Sequence, residues 1–285
     1  MSDEKSGLRL ALIQTDSRLC DLKSNTIAHR ELARKAIESG ANLVIFPELS
    51  LSGYQLMDAT YDLAITPDSS LFDEFKPLSM FAPILTGAPE RGADGQIFNS
   101  VFLIDNGEVR VVHRKRYLPT YNVFDESRFF SAGKEIQPAD TRVGKLGILI
   151  CEDSWHPTLA WLHAQQQADL LIIMAASPYR SELAVETLDI RSKWKAIAQS
   201  YAITLSLPVA VCNRVGSEDG ILFWGGSAVY KAGGQQLAEA PLFEPTELVA
   251  TLNTQDRNRE RYSSTHFLDD DQLWFQNQTS KLSKT

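Results

Sequence analysis

The order of apolar segment, helical pattern and apolar segment occurs twice in this sequence and constrains the fold more than any other feature. Residues 8–13 form an apolar run typical of a buried strand, residues 21–39 carry apolar side chains on one helix face, and residues 43–46 form the next strand. A second unit of the same order runs from residue 145 to residue 174. Strands joined through a helix lie parallel in one sheet, so the sequence predicts an α/β fold with helices covering its sheets.

Elsewhere the predicted strands follow one another without helices between them, which is typical of antiparallel pairing. Asp105-Asn106-Gly107 predicts a hairpin between strands at 97–104 and 109–114. The other patterns predict a helix at 69–80, a strand at 83–86, a long ordered loop at 115–140, a long helix at 183–202, strands at 208–212, 224–230, 236–240 and 248–252, and an irregular polar tail from residue 257.

The predicted elements form a single domain. The sequence contains no Gly/Ser-rich or Pro-rich linker and no internal repeat, so we predict one domain over residues 1–262 and a C-terminal tail over residues 263–285. The strands fall into two mixed groups, each with helices to cover it. This grouping predicts two sheets packed face to face with a helical layer outside each.

Charge and hydropathy argue against two classes of partner. A net charge of −8 is unfavourable for a general nucleic-acid binder, which needs a basic face to displace counterions from phosphates. The one dense basic stretch, residues 113–116, is typical of a solvated turn, with an RNA or phosphate patch as the minor alternative. No apolar run reaches the roughly 20 residues that cross a bilayer, and residues 1–5 lack a signal-peptide core. We therefore expect a cytoplasmic protein that binds neither nucleic acid nor a membrane.

The three cysteines are too few and too scattered for a disulfide framework, and no two have the C-x-x-C spacing of a zinc site. Cys20, Cys151 and Cys212 are therefore buried small hydrophobes or reactive thiols. Cys151 follows an apolar strand just before a helix, at the sheet edge where α/β proteins bind ligands. Packing is the commoner role for such a cysteine, and a thiolate held by a nearby cation or helix dipole is the alternative.

Two charged residues occupy comparable positions. Glu48 ends the strand at 43–46, where partial desolvation would raise its pKa and make it a usable general base; a surface glutamate is the equally weighted alternative. Lys115 follows the strand at 109–114 and could stabilise an oxyanion, although by itself it is one of several basic residues in a turn. Neither residue is decisive alone.

The joint pattern is more specific than any of its parts. Three segments, residues 46–48, 114–119 and 147–153, occur in the order and approximate spacing of one superfamily. The chain resembles the nitrilase or carbon-nitrogen hydrolase superfamily over nearly its whole length. Four further segments carry the resemblance: Ser52-Gly53-Tyr54, Val123-Phe124-Asp125-Glu126, Ala175-Ala176-Ser177-Pro178 and Gly225-Gly226-Ser227.

The resemblance implies a four-layer α-β-β-α sandwich and a catalytic triad that cleaves a carbon–nitrogen bond through a thioester. It places this triad on Glu48, Lys115 and Cys151, and a second glutamate near it on Glu126. No metal or cofactor is expected in this chemistry. The expected partners are a small amide substrate and at least one further copy of the chain, because family members commonly pair through helices such as the one predicted at 183–202.

Within the superfamily, residues 118–126 and 151–155 are most similar to the glutaminase domain of glutamine-dependent NAD synthetase. That similarity implies that Tyr121, Glu152 and Ser177 contact the substrate amino acid. Two features depart from the pattern. The sequence lacks an ATP-binding Ser-Gly-Gly-x-Asp-Ser loop and ends where a synthetase domain would begin, so we expect that it does not make NAD alone. After residue 180 it also lacks the expected glycine and basic residue, which weakens the case for glutamine itself.

Several functions share these residues. A small carboxamide is the favoured substrate, an N-carbamoyl amide is the runner-up, and a nitrile could react through a thioimidate. A glutaminase subunit that supplies ammonia to a separate synthetase is a further alternative. A catalytically idle binding or assembly protein on the same fold is the alternative outside enzymes, and the presence of all three triad residues counts against it.

Overall fold

A computed structural model describes residues 7–179, 189–253 and 255–282 of the chain. In this part of the chain the strands form two six-stranded sheets and a third sheet of three strands. The strands are β1 (Gly7–Gln14), β2 (Leu43–Ile45), β3 (Ile84–Arg91), β4 (Ile97–Asp105), β5 (Glu108–Arg114), β6 (Ala139–Thr141), β7 (Gly144–Ile150), β8 (Leu170–Ala175), β9 (Pro178–Tyr179), β10 (Val209–Asn213), β11 (Val215–Glu218), β12 (Ile221–Trp224), β13 (Ala228–Tyr230), β14 (Gln236–Glu239) and β15 (Thr246–Asn253).

Helices and 3-10 turns connect the strands, and two further helices follow the last strand. The first helix begins where the Asp21 side chain accepts a hydrogen bond from the Ser24 amide, and it is followed by Gly40 at φ +92°. The helices are α1 (Leu22–Glu38), α2 (Thr60–Leu63), α3 (Lys76–Ser79), α4 (Glu126–Phe129), α5 (Pro157–Gln165), α6 (Asp189–Thr204), α7 (Asp256–Ser263) and α8 (Gln272–Leu282), with 3-10 turns at Met57–Ala59, Ser70–Glu74, Cys151–Trp155 and Thr265–Phe267.

Both large sheets are mixed. The first sheet has the order β15-β1-β2-β3-β4-β5, in which β1, β2 and β3 are parallel and the other pairs antiparallel. The second sheet has the order β14-β13-β10-β8-β7-β6, in which β7, β8 and β10 are parallel. Helical connections give the parallel pairs and hairpins give antiparallel ones. The third sheet, β11-β12-β9, is antiparallel.

The two large sheets pack face to face. Alternate residues of a strand point to opposite faces, and β1 shows the consequence. Leu10 and Leu12 lie in one apolar core with the strands of the second sheet, whereas Ala11 and Ile13 pack on the other face beside α1. Apolar residues of α5 and α6 complete the core of the second sheet. This arrangement confirms the predicted α/β sandwich with helices outside each sheet.

Two predicted elements are wrong in detail. The helix predicted at 69–80 is interrupted between Ser70–Glu74 and α3, because Pro77 has no amide hydrogen to continue the bonding of the preceding turn. The single strand predicted at 224–230 is two strands in different sheets. Gly225 (φ +73°) and Gly226 (φ +63°) turn the chain from β12 in the third sheet to β13 in the second.

The segment predicted as a loop at 115–140 is mostly irregular, and it also contains α4 and β6. The tail from residue 257 was predicted to be irregular, and this is wrong because α7 and α8 occupy it. Side chains far away in sequence hold these helices: Arg257 pairs with Asp169 at 2.7 Å, and Phe275 of α8 packs on Trp161 of α5. The division into a domain at 1–262 and a tail at 263–285 stays a prediction.

The long helix predicted at 183–202 corresponds to α6 from residue 189 onward, while residues 183–188 lie outside the described residues. Trp194 and Tyr201 of this helix are buried in their own chain, where Tyr201 donates a hydrogen bond of 2.5 Å to the Ser154 carbonyl. The predicted pairing between copies stays a prediction. Among the described residues, no helix combines the length and the apolar character needed to cross a membrane.

Candidate active site

Glu48 lies in a buried turn after β2. One of its carboxylate oxygens, Oε1, accepts hydrogen bonds from the Asn99 side-chain amide (2.8 Å) and from Lys115 (2.7 Å). The other, Oε2, accepts from the backbone amide of Ala176 (2.9 Å), just beyond β8 of the second sheet. A carboxylate in the gap between the two sheets is therefore held by three donors, which fixes its position.

The close approach of Gly87 on β3 supports this turn. A Cβ atom at residue 87 would lie 2.5 Å from the Leu49 amide nitrogen and 3.1 Å from the Pro47 carbonyl oxygen. Leu49 itself has a φ of +47°, a conformation that costs energy for a branched residue. The strand thus fits directly against a strained turn that presents Glu48.

Lys115 joins two carboxylates. It follows β5, is fully buried, and its Nζ donates to Glu48 Oε1 and Glu126 Oε1 at 2.7 Å each. Burial alone lowers the pKa of Lys115, but the negative charges of Glu126 and Glu48 more than offset it, so the pKa lies well above its ordinary value. Lys115 is therefore a permanent cation in the site.

Glu126 begins α4 and is buried beside this cation. Burial raises its pKa from 4.5 to about 7, with Lys115 acting against the rise and Glu48 adding to it. The Tyr54 hydroxyl donates a short hydrogen bond of 2.5 Å to Glu126 Oε1. Glu126 Oε2 has no hydrogen-bond partner within the described part of the chain, although it is buried. A carboxylate oxygen in this state is available to a polar group that enters the site.

Cys151 stands at the end of β7 in an unfavourable backbone conformation, with φ at +47°. Burial raises the pKa of its thiol well above the ordinary value, Glu48 adds to the rise, and Lys115 opposes it. The resting group is therefore a protonated thiol beside a carboxylate and an ammonium. Backbone strain of this kind at a reactive side chain is frequent in active sites.

Asp153 ties the Cys151 turn to the segment that follows Lys115. Its Oδ1 accepts from the backbone amides of Arg116 (3.0 Å) and Tyr117 (2.8 Å), and its Oδ2 accepts from the amide of Ile150 (3.2 Å). Burial raises the pKa of Asp153 to about 6, although the three amides work in the opposite direction. One carboxylate thereby fixes β7 and the lysine segment relative to each other.

The structure brings two of the three predicted substrate residues together. The Tyr121 hydroxyl donates to Glu152 Oε2 at 2.7 Å, in the rim around the nucleophile. Ser177 lies elsewhere: it is buried, and its Oγ accepts the indole N–H groups of Trp194 (2.9 Å) and Trp224 (3.0 Å). Its neighbour Ala176 bonds to Glu48, so Ser177 still belongs to the surroundings of the site.

A cavity of about 120 Å³ opens beside Glu126. Tyr54, Phe124 and Glu126 form its inner wall, and its outer wall includes exposed Met57 and Val123. The Phe124 ring lies between Tyr54 and Tyr121, at centroid distances of 6.3 and 5.4 Å. The volume of this cavity suits a small molecule. Residues 7–179, 189–253 and 255–282 contain no cluster of three or more His, Cys, Asp or Glu side chains placed to hold a metal ion.

Sequence reasoning missed several residues of this site. Tyr54 and Asp153 occur in the segments that carried the family resemblance, but nothing local showed that one would bond to Glu126 and the other to the segment after Lys115. Asn99 lies inside β4, and the only sign of its role in the sequence is that it is a polar residue in a mostly apolar strand. Glu218 bonds to the Tyr54 segment across the molecule, and no spacing in the sequence indicates it.

Comparison with known proteins gives a consistent result. The carbon-nitrogen hydrolase family model matches residues 9–262. A glutamine-dependent NAD(+) synthetase from Thermotoga maritima is 32% identical over 262 residues, which is 88% of this chain and 43% of that protein. The chain thus spans less than half the length of this relative.

Two further proteins match over most of their length. A probable nitrilase from Schizosaccharomyces pombe is 29% identical over 233 residues, covering 77% of this chain and 79% of that protein. The crystal structure of a carbon-nitrogen hydrolase from Helicobacter pylori G27 superposes with a TM-score of 0.84 at 26% identity, covering 96% of this chain and 98% of that one.

Proposed function

Because the chain belongs to the carbon-nitrogen hydrolase family, we propose that it hydrolyses the C–N bond of a small carboxamide and releases ammonia, with Cys151 as the nucleophile. The observation that carries this proposal is the position of Lys115. Its ammonium lies 2.7 Å from both Glu48 and Glu126, and the charges of all three groups act on the buried Cys151 thiol. The group combines a base, a cation and a nucleophile.

The first half of the reaction forms a thioester. Since the thiol is protonated at rest, Glu48 takes its proton as sulfur attacks the carbonyl carbon of the amide. Lys115 and backbone N–H groups that follow Cys151 stabilise the negative oxygen of the tetrahedral intermediate. The C–N bond then breaks, Glu48 returns the proton to the departing nitrogen, and ammonia leaves.

The second half releases the acid. A water molecule attacks the thioester carbon and gives a proton to Glu48, and the C–S bond breaks as the thiol recovers that proton. Among the described residues Glu126 Oε2 has no hydrogen-bond partner, which supports a role in holding this water, because a charged carboxylate oxygen accepts a water hydrogen strongly. Glu126 works in this way only when it is ionised.

The substrate class rests on the rim of the site and on the relatives. Glu152 with Tyr121 provides a polar wall that suits an ammonium group, and several relatives are glutamine-dependent enzymes. We therefore favour a small amide that carries an amino group. N-carbamoyl amides and nitriles react by the same steps, so they are the competing substrates in the test.

The test measures ammonia and acid formed from four groups of compounds: aliphatic carboxamides, amino-acid amides including glutamine, N-carbamoyl amino acids and nitriles. We expect the highest kcat/KM with a carboxamide. Faster turnover of a carbamoyl compound or a nitrile would replace the proposed substrate class. Ammonia release that needs a separately added synthetase chain would identify an ammonia-supplying subunit instead.

The nucleophile is tested with matched cysteine variants. Cys151→Ala should abolish turnover, whereas Cys20→Ala and Cys212→Ala should retain it. Cys212 is a suitable control because it is also buried, and its Sγ contacts the Ile45 carbonyl at 3.3 Å. If iodoacetamide modified Cys212 first and activity fell with that modification, the assignment of Cys151 would be wrong.

A further inference from the structure

Glu218 and Arg214 form an ion pair that is buried outside the catalytic group. Arg214 follows β10 and Glu218 ends β11 of the third sheet, and their side chains approach to 2.5 Å with about 2% of each exposed. Arg214 also lies over the Phe223 ring at 4.3 Å. Burying two charges is costly unless both groups make further hydrogen bonds. The other bonds of Glu218 therefore matter for what this pair does.

The second carboxylate oxygen of Glu218 holds the backbone of the Tyr54 segment. Oε2 accepts from the amide of Tyr54 at 2.8 Å and from that of Gln55 at 3.0 Å. Gly53 precedes them with φ at +82°, and a Cβ atom there would lie 2.7 Å from Glu218 Oε1. The segment therefore sits directly on the carboxylate, and it does so with two charge-assisted bonds.

The same segment carries the hydroxyl that reaches the catalytic group. Tyr54 is buried, its ring packs edge-on against Phe223 at 6.0 Å, and its hydroxyl donates to Glu126 Oε1 at 2.5 Å. Glu126 in turn accepts from Lys115. A continuous series of bonds thus joins the ion pair of the third sheet to the carboxylates beside Cys151.

We infer that Glu218, held by Arg214, is a positioning residue: it fixes the backbone at Tyr54 so that the Tyr54 hydroxyl donates to Glu126 and favours its ionised form. The inference rests on the proposed hydrolase function for its kinetic consequences. Glu218 does not contact the reacting atoms. It acts through Tyr54, and the hydroxyl of Tyr54 is one of the groups, with Lys115, that favour the ionised form of Glu126 against the effects of burial and of Glu48.

The direction of the effect follows from the hydrogen bond. A donor to a carboxylate stabilises its charged form, and the Tyr54 hydroxyl acts to lower the pKa of Glu126, which burial has raised to about 7. Without that bond one of the interactions that counteract the effect of burial is lost, so the pKa of Glu126 rises further. The acid limb of kcat/KM, where Glu126 must ionise, then moves to higher pH.

The experiment compares Tyr54→Phe, Glu218→Gln and the double variant in pH profiles of carboxamide hydrolysis. Tyr54→Phe should move the acid limb upward and lower kcat at pH 7 by about ten- to a hundredfold, as expected for one charge-assisted hydrogen bond. Glu218→Gln should move the same limb in the same direction. The double variant should match Tyr54→Phe within about twofold, because both changes act through one bond.

Two results of this comparison would overturn the inference. Effects of the single changes that multiply in the double variant would show that Glu218 acts independently of Tyr54. A lower kcat in Glu218→Gln with an unmoved acid limb would reduce Glu218 to a purely structural role. Should Glu218→Gln not fold, Glu218→Asp keeps the charge with a shorter side chain and should give a smaller shift of the same limb.

Asp105→Asn is the matched structural control. Asp105 is also buried and paired with an arginine, Arg142, at 2.6 Å, but it lies at the end of the β4–β5 hairpin opposite to Lys115. It should lower thermal stability and leave the acid limb in place. If the acid limb of kcat/KM moved as far in Asp105→Asn as in Glu218→Gln, the inference would be contradicted.

A second readout separates this inference from the proposed function. The rate of Cys151 alkylation by iodoacetamide against pH needs no substrate, and it depends on the charges around the thiol. If no amide were hydrolysed while Tyr54→Phe, Glu218→Gln and the double variant shifted this profile equally, the proposed function would fail and the positioning role would stand. Unshifted profiles in all three variants would overturn the positioning role.

Discussion

Replacing Glu126 by glutamine removes a charge that the folded protein tolerates poorly. The amide oxygen of glutamine can still accept hydrogen bonds from Lys115 and Tyr54, so the contacts of Oε1 are retained. Glutamine does not ionise. The variant should therefore lose activity, since the site lacks the ionised carboxylate that holds the water, and it should gain stability at neutral and alkaline pH.

The size of the gain follows from the pKa of Glu126. Its ordinary value of 4.5 rises to about 7 in the folded protein. Because the folded state holds this proton more tightly, wild-type stability falls as pH rises from 4.5 through 7 and is level above that. At about 1.4 kcal/mol for each tenfold change in proton affinity, ionisation of Glu126 costs about 3 kcal/mol, and Glu126→Gln avoids that cost above pH 7.

Urea unfolding followed by tryptophan fluorescence at pH values from 4.5 to 8.5 measures this difference. The two proteins should have about equal free energies of unfolding near pH 4.5. As pH rises, the wild type should lose stability relative to the variant. A difference in stability that does not change with pH, or a variant that is less stable at pH 8, would refute the reasoning. Glu90→Gln is the control: it removes the charge of a buried glutamate that pairs with the partly exposed Arg114, and it should lower stability relative to wild type at neutral pH.

Three further predictions concern the rim, the turn and the assembly. Glu152→Gln should lower kcat/KM for amino-acid amides by about 2–5 kcal/mol of transition-state binding and spare simple aliphatic amides, whereas an equal loss across both groups would contradict an ammonium contact. Asp153→Asn should cost about 1–3 kcal/mol in thermal unfolding and slow Cys151 alkylation, because an amide group cannot accept from Ile150 and from the segment after Lys115 at once; an unchanged alkylation rate would argue against this tie. Light scattering should give a homodimer or larger assembly, consistent with exposed Leu162 and Ile203 on α5 and α6, and a mass near 31.8 kDa at micromolar concentration would contradict it.

The strand ends were accessible to sequence reasoning. Glu48, Lys115 and Cys151 each follow an apolar run that could be recognised by composition, and the α/β class followed from two strand-helix-strand units. The resemblance then joined the three residues into one site. The structure places Lys115 between Glu48 and Glu126, at distances that no spacing could supply.

The errors share a cause, which is that local pattern carries little information about long-range contacts. The tail from residue 257 is polar in composition, yet α7 is held by Arg257 pairing with Asp169 and α8 by Phe275 packing on Trp161. Likewise the apolar pattern of α6 does not show which of its residues are used inside the chain, where the Trp194 indole donates a hydrogen bond to Ser177. Composition shows whether a segment or a helix face is polar or apolar, but it does not show which residues that surface contacts.

The sequence by itself determined which segments are buried strands and which charged residues stand at their ends, because burial and periodicity act over a few neighbouring residues. Only the tertiary structure decided how those ends meet. The Tyr54 amide bonds to Glu218, and the Ala176 amide bonds to Glu48, across 164 and 128 positions of the chain. Charge states follow the same division: folding removes water from Glu126 and sets Glu48 near it, and these two effects raise its pKa to about 7 against the opposing influence of Lys115 and Tyr54.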